Sequence, residues 1–475
     1  MSITEKTLLQ QASDLKEKKY SSEELTQAYI EEIAKKDGDI GAYLWHDPEL
    51  SLKCARLADE RLAKGETSPL NGIPFALKDN ICTKGIPTTA ASKMLSGFVP
   101  PYNATAAEHL FDSGAVLLGK ANMDEFAMGS TCETSAFKTT KNPLDTSLSP
   151  GGSSGGCAAA ICADMASFAL GSDTGGSVRQ PCAFTKTVGM KPTYGAVSRY
   201  GLIAFASSLD VIGPMTRTVS DNAMVFGAIA KKDCKDATST GSDLSLPAKR
   251  KDLKGIRIGI ADSFFGEGIS DCVKATVMDA VDTFRSLGAS IVPVSLLSPD
   301  VITSAYYIIS SAEASSNLAR YDGIRFGHQT DKPCSSLEEF YVLNRSEGFG
   351  DEVKRRIMSG TFVLSEGYLD DYYKKAVNVR SLTKKSFTEA FENCDLILSP
   401  AAPSLPYPLG KKSDPVLMYS QDICTTAANI AGIPALSMPC QREKGTPPIG
   451  MQLMGPWFSE SLLYSVGITF EEETK

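Results

Sequence analysis

Histidine is scarce in this chain: three in 475 residues, with only two tryptophans beside them. A Ser-His-Asp arrangement needs a histidine placed to take the serine's proton, and only His46, His109 and His328 could serve. Basic charge is short as well. Asp and Glu total 56 against 48 Lys and Arg, a net charge of −8. Binding nucleic acid runs on neutralising phosphates, so a chain without a dense basic block is poorly equipped to grip RNA or DNA alone. No uninterrupted run of about 20 apolar residues occurs, which argues against a membrane-spanning helix. The polar start, Met1-Ser-Ile-Thr-Glu-Lys6, lacks the apolar stretch of a secretion signal. C-x-x-C pairs are missing too. The 12 cysteines lie singly from Cys54 to Cys440 with no histidine at ligand spacing, which argues against zinc and against a disulfide framework. Together these absences lead to the expectation of a cytoplasmic protein with reduced cysteines packed as small hydrophobes.

What is present is average for a globular protein: 42% apolar residues, 22% charged, 39 glycines and 25 prolines. Disorder, collagen and coiled coil are excluded by that balance. Length alone suggests about three domains, but the texture of the chain favours fewer. Residues 1–65 read as a helical layer. Ser21-Ser-Glu-Glu24 is a capping box ahead of Leu25, Tyr29, Ile30 and Ile33 at helical spacing. From residue 66 to 475 short apolar strands alternate with glycine turns and helices. Gly114–Gly119 and Met165–Gly171 are expected strands, and Ile256–Ile260 through Ser295 reads as a βαβ unit. Asp395–Ser399 and Ala435–Met438 add two more, while the polar run Lys231–Lys251 reads as a surface crossover. The expectation is one large α/β domain with a mixed central sheet.

Two glycine-serine turns carry the chemistry. Gly151-Gly-Ser153-Ser-Gly-Gly156 runs into an alanine-rich segment, and Gly171-Ser-Asp-Thr-Gly-Gly-Ser177 ends an expected strand. Flexible linkers do not usually lead straight into apolar helix, so both are read as loops opening helices. There the free N–H groups favour developing negative charge. A serine in such a loop has an oxyanion hole made by its own neighbours, here the backbone of Thr174, Gly175 and Gly176. It also needs a base. Lys78, at the end of the apolar run Gly72-Ile-Pro-Phe-Ala-Leu-Lys78, can serve if burial strips the amine of its proton. The bland reading is a solvated lysine at a strand end. Two further patterns are decoys. Gly114 to Lys120 has Walker A spacing, but Ala121 replaces the hydroxyl that would hold magnesium. Gly151-Gly-Ser153-Ser-Gly155 satisfies the hydrolase elbow, a pattern that any glycine-rich run meets easily.

Taken in order, Ala-Leu-Lys78-Asp-Asn, Gly-Gly-Ser153-Ser-Gly-Gly and Gly-Ser-Asp-Thr-Gly-Gly-Ser177 resemble the amidase signature family. The resemblance implies an α/β/α fold and a Ser-Ser-Lys triad, with Ser177 as nucleophile, Ser153 as relay with a cis peptide, and Lys78 as base. Ala121–Gly129, Lys191–Gly195, Ser198–Asp210, Glu313–Arg320 and Val353–Ile357 extend it toward the family's glutaminase branch. Members of that branch feed ammonia to B and C subunits that amidate Glu-tRNA(Gln). The resemblance then implies glutamine contacts at Tyr306, Arg355 and Asp422, with adjacent Tyr307 and Arg356 as alternatives. It implies no cofactor in this chain, and ATP and Mg in a partner protein. Thr185, Lys186, Val211 and the Cys440-Gln pair depart from the branch pattern without touching the triad. Three other readings compete: a stand-alone small-molecule amidase, an esterase built on Ser153 and His328, and a catalytically silent scaffold.

Overall fold

The apolar runs read from the sequence become strands of one 11-stranded mixed sheet. The computed structural model describes residues 2–65, 68–241, 247–410, 415–441, 443 and 445–474. The strands are β1 (Tyr43–His46), β2 (Pro74–Lys78), β3 (Val116–Ala121), β4 (Phe168–Asp173), β5 (Val188–Lys191), β6 (Val211–Thr216), β7 (Arg257–Ile260), β8 (Ser290–Pro293), β9 (Leu396–Pro400), β10 (Ala435–Pro439) and β11 (Gly450–Met454). Their order across the sheet is β1-β3-β2-β4-β6-β5-β10-β11-β9-β7-β8. β2 runs parallel to β3 and β4, and β7 parallel to β8 and β9, while the centre is antiparallel. Strand residues alternate between two hydrophobic cores. Leu396 and Leu398 belong to one core and Ile397 to the other, so helices cover both faces.

The N-terminal residues form α1 (Leu8–Lys16), α2 (Ser22–Ile40) and α3 (Pro48–Ala63). The Ser21/Glu24 capping box is in place at the start of α2. One feature differs from the helical reading: β1 lies between α2 and α3, puts His46 on a strand, and pairs antiparallel with β3. Four residues are too few to show a periodicity, and only the β3 edge makes them a strand. Residues 66 and 67, at the expected boundary, lie outside the described residues. So do residues 242–246 of the polar run. β5, β6 and β11 were not legible as strands: Gly189, Gly213, Pro214 and Gly450 interrupt or open them.

Four further helices frame the site, α4 (Gly155–Cys162), α5 (Arg179–Thr185), α6 (Pro299–Asn317) and α7 (Asp351–Leu364). α4 is built of Gly, Cys, Ala and Ile alone, and these small side chains let it lie against β2 and β4. α7 packs on α6 so closely that a Cβ on Gly360 would collide with the Ser311 carbonyl. Among the described residues no helix is long and apolar enough to cross a membrane. The 12 cysteines are free thiols.

Candidate active site

Parallel pairing of β2 with β4 brings their carboxyl ends to one edge of the sheet, the usual address of a site in an α/β fold. Lys78 is the last residue of β2, and the Ser177 loop leaves β4. The Ser153 turn precedes α4. Lys78 is fully buried and donates from Nζ to Ser153 Oγ at 2.8 Å and to the Ser172 carbonyl at 3.1 Å. Burial removes the ammonium's hydration and pulls its pKa down to about 8, against the opposing pull of Cys157, Asp124, Cys132 and Asp173. The Gly152–Ser153 peptide is cis. Gly152 is dictated by contact, because a Cβ there would collide with Asp124 Oδ2. Ser154 N–H donates to the Ser177 carbonyl at 3.1 Å, which ties the two serine turns together. Ser153 is fully buried, whereas Ser177 keeps 8% of its surface exposed. Among the described residues no group bonds its hydroxyl. The site thus holds a buried amine bonded to a buried hydroxyl, beside a loop that carries a more open one.

The loop from Thr174 to Ser177 is fixed by groups absent from the sequence reading. Asp173 accepts from Gly176 N–H at 2.9 Å and Val178 N–H at 3.1 Å. Burial pushes its carboxyl up, yet Arg179 and Asn429 hold it down at about 2. The buried Arg179 guanidinium bonds Asp173, Asn429, Gln452 and the Thr425 carbonyl at once. This modifies the oxyanion expectation. The Gly176 N–H is occupied by Asp173, while among the described residues no acceptor takes the N–H of Thr174, Gly175 or Ser177. One signal was available in the sequence: an arginine two residues after Ser177, following a run of small residues.

A second cluster borders this loop. Asp422 accepts from Tyr307 Oη at 2.6 Å and from Ser130 Oγ at 2.8 Å, and burial raises its pKa to about 6. The Arg356 guanidinium lies 4.6 Å from the ring centres of both Tyr307 and Tyr419. It is bonded through Nε to Glu352 at 2.7 Å, and among the described residues its buried Nη1 has no partner. Arg355 does not belong to the cluster. Its side chain is 44% exposed and turned to Glu352, because the buried stripe of α7 runs Glu352, Arg356, Gly360 and skips it. The expectation for Arg355 therefore moves to Arg356. Tyr306 lies against the loop: its ring tip rests on Gly175, so closely that a Cβ there would collide with it. Its hydroxyl is unbonded among the described residues, whereas that of Tyr307 is taken by Asp422.

The family profile described as Amidase matches residues 24–464. The chain belongs to the amidase family. This amidase is 52% identical over 464 residues to the A subunit of glutamyl-tRNA(Gln) amidotransferase from Thermoanaerobacter pseudethanolicus, spanning 97% of this chain and 95% of that protein. It is 50% identical to the Staphylococcus aureus protein of the same name, over 97% and 95%. Among solved structures, the protein of that name from Thermotoga maritima aligns with a TM-score of 0.82 at 35% identity, covering 100% of this chain and 96% of that one. A peptide amidase from Stenotrophomonas maltophilia aligns with 0.82 at 30%, over 98% and 96%.

The competing sites lose their geometry in the amidase fold. Lys120 is buried in β3 and bonds the Ile81 carbonyl and Thr88 Oγ1, as a packed strand lysine. His328 pairs with Glu347 at 3.0 Å and borders a cavity of about 410 Å³ lined by neither serine turn. His109 lies in the helix Thr105–Asp112.

Proposed function

We propose that this amidase is the glutamine-hydrolysing subunit of a glutamyl-tRNA(Gln) amidotransferase. The observation that carries the reading is the pairing of one fixed anion, Asp422, with one fixed cation, Arg356, beside the Ser177 loop. Free glutamine carries an α-ammonium and an α-carboxylate besides its amide, so a selective pocket needs both. Arg356, with an unbonded Nη1, takes the carboxylate, and Asp422 takes the ammonium with Tyr306 beside it.

In this reading Ser177 Oγ attacks the side-chain amide carbon while Ser153 takes its proton and hands its own to Lys78 Nζ. The N–H groups of Gly175 and Ser177 stabilise the tetrahedral oxygen. Protonation of the leaving nitrogen by the same relay releases ammonia and leaves a glutamyl ester on Ser177, which water then cleaves. Ammonia passes to B and C partner subunits, where ATP and Mg activate the glutamyl-tRNA, a division of labour that the acidic charge balance supports. The test is amidation of Glu-tRNA(Gln) by the complex with Ser177→Ala in place. Glutamine-dependent amidation should vanish and high external ammonia should restore it. Failure of ammonia to restore it in an intact complex refutes the assignment. Robust glutamine hydrolysis by the lone chain, unaffected by added partners and tRNA, would instead favour a stand-alone amidase.

A further inference from the structure

We propose that Thr425 is a positioning residue that locks the Gly175–Gly176 peptide and joins it to the Asp422 carboxylate turn. The inference rests on the glutaminase reading of the same site. Thr425 is 1% exposed and each of its polar groups is committed. Its hydroxyl donates to the Gly175 carbonyl at 2.6 Å, its N–H donates to the Asp422 carbonyl at 3.0 Å, and its own carbonyl accepts from Arg179 Nη1 at 3.0 Å.

The reason such a lock is needed lies in the glycines. A Cβ on Gly175 would strike Tyr306 and one on Gly176 would strike Thr425 itself, so both positions must lack a side chain. Gly176 also has φ +136°, a conformation that L side chains rarely adopt. Two successive glycines make the peptide between them free to flip at little cost. A flip would reverse its carbonyl and disturb the flanking Gly175 and Ser177 N–H groups, to which the proposed mechanism gives the substrate oxygen. The structure holds this peptide at both ends, its oxygen by Thr425 Oγ1 and its N–H by Asp173 Oδ1 at 2.9 Å. Asp173 is itself immobilised by Arg179. Among the described residues, Thr425 is therefore the clamp on this peptide that comes from the segment carrying Asp422. The turn from Asp422 to Thr425 makes the position of the carboxylate and the orientation of the peptide between the two oxyanion donors parts of one rigid piece.

The test uses the full chain with its partner proteins and two substrates, glutamine and glutaramate, which lacks the α-ammonium. Thr425→Val keeps the shape and removes the hydroxyl, Thr425→Ser keeps the hydroxyl, and Thr425→Ala is measured in case the valine variant does not fold. Loss of one oxyanion-orienting element predicts a fall in kcat of about 10²-fold for both substrates. KM for glutamine should stay within about threefold. Serine should return kcat to within about fivefold of wild type, and the pH inflection of Lys78 should not move. An effect confined to glutamine KM, or a serine variant as slow as valine, overturns the proposal, because either marks Thr425 as pocket wall or packing. If the wild-type complex cleaves glutaramate but not glutamine, the glutaminase reading fails, and the lock is then decided on glutaramate alone.

Discussion

Lys78 offers a sharp test of the reasoning, because its environment fixes both the direction and the size of the effect. The ammonium is fully buried, and its pKa falls from 10.5 to about 8 through lost hydration. That difference corresponds to roughly 3 kcal/mol of penalty on the charged form. In the proposed relay only the neutral amine can accept a proton from Ser153, so activity should increase with pH. About one tenth of Lys78 is neutral at pH 7 and about one hundredth at pH 6. The part of kcat/KM controlled by this group should thus rise about tenfold per pH unit and level off above pH 8 or so. Lys78→Ala should lower kcat by about 10³-fold or more. Lys78→Arg should be as poor, since guanidinium does not deprotonate in a protein. Stability should rise with pH as well, though over a higher window. Below about pH 8 the folded chain holds a destabilised ammonium, and between about 8 and the ordinary lysine value the unfolded chain binds a proton that the folded one does not. The stability contributed by this group therefore rises with pH across that window. Lys78→Met removes the penalty, and for a chain of this length should raise Tm by about 3 °C at pH 7. Rates measured from pH 5.5 to 9 on wild type and the three variants, with melting curves alongside, check all of this. A pH-flat wild type, or a Lys78→Arg enzyme retaining more than about a tenth of the activity, refutes the base assignment. His328→Ala, changing a residue paired with Glu347 away from both serines, should stay within about twofold of wild type.

Two more outcomes follow from the second cluster. Asp422, raised to about 6 by burial, must be ionised to hold an ammonium, so glutamine binding should weaken as pH falls through that value. Asp422→Asn should raise glutamine KM by about 10²-fold, the loss of a charged hydrogen bond, and abolish that acid limb; a limb unchanged near pH 6 in this variant argues against the role. Arg356→Lys should raise glutamine KM by at least about tenfold while Arg355→Lys stays within about twofold, since only Arg356 lies on the buried face of its helix. The reverse ranking, in steady-state kinetics on both variants, would return the carboxylate to Arg355.

The local pattern of the chain was enough to specify a good deal. Strands of uniform apolar character, such as Val116–Ala121 and Phe168–Asp173, announce themselves because burial on both faces leaves few polar residues in them. The glycine-serine turns stand out in the sequence for a different reason: close packing leaves no room for a Cβ at Gly152, Gly156, Gly175 or Gly176. What the linear pattern could not supply is which distant groups meet. β1 is a strand only because the edge of β3 is there to pair with it. Arg355 and Arg356 are indistinguishable as letters, and the packing of α7 on α6 buries one and leaves the other in solvent. The Arg179 and Thr425 contacts span about 250 residues of chain. No periodicity encodes them, since they join a helix start and a loop to a turn and helix far along the chain. Lys78 follows the same rule. It is an ordinary lysine until β2, β4 and α4 close over it. Its altered affinity for a proton is a property of that burial, which only the assembled sheet and helices can provide.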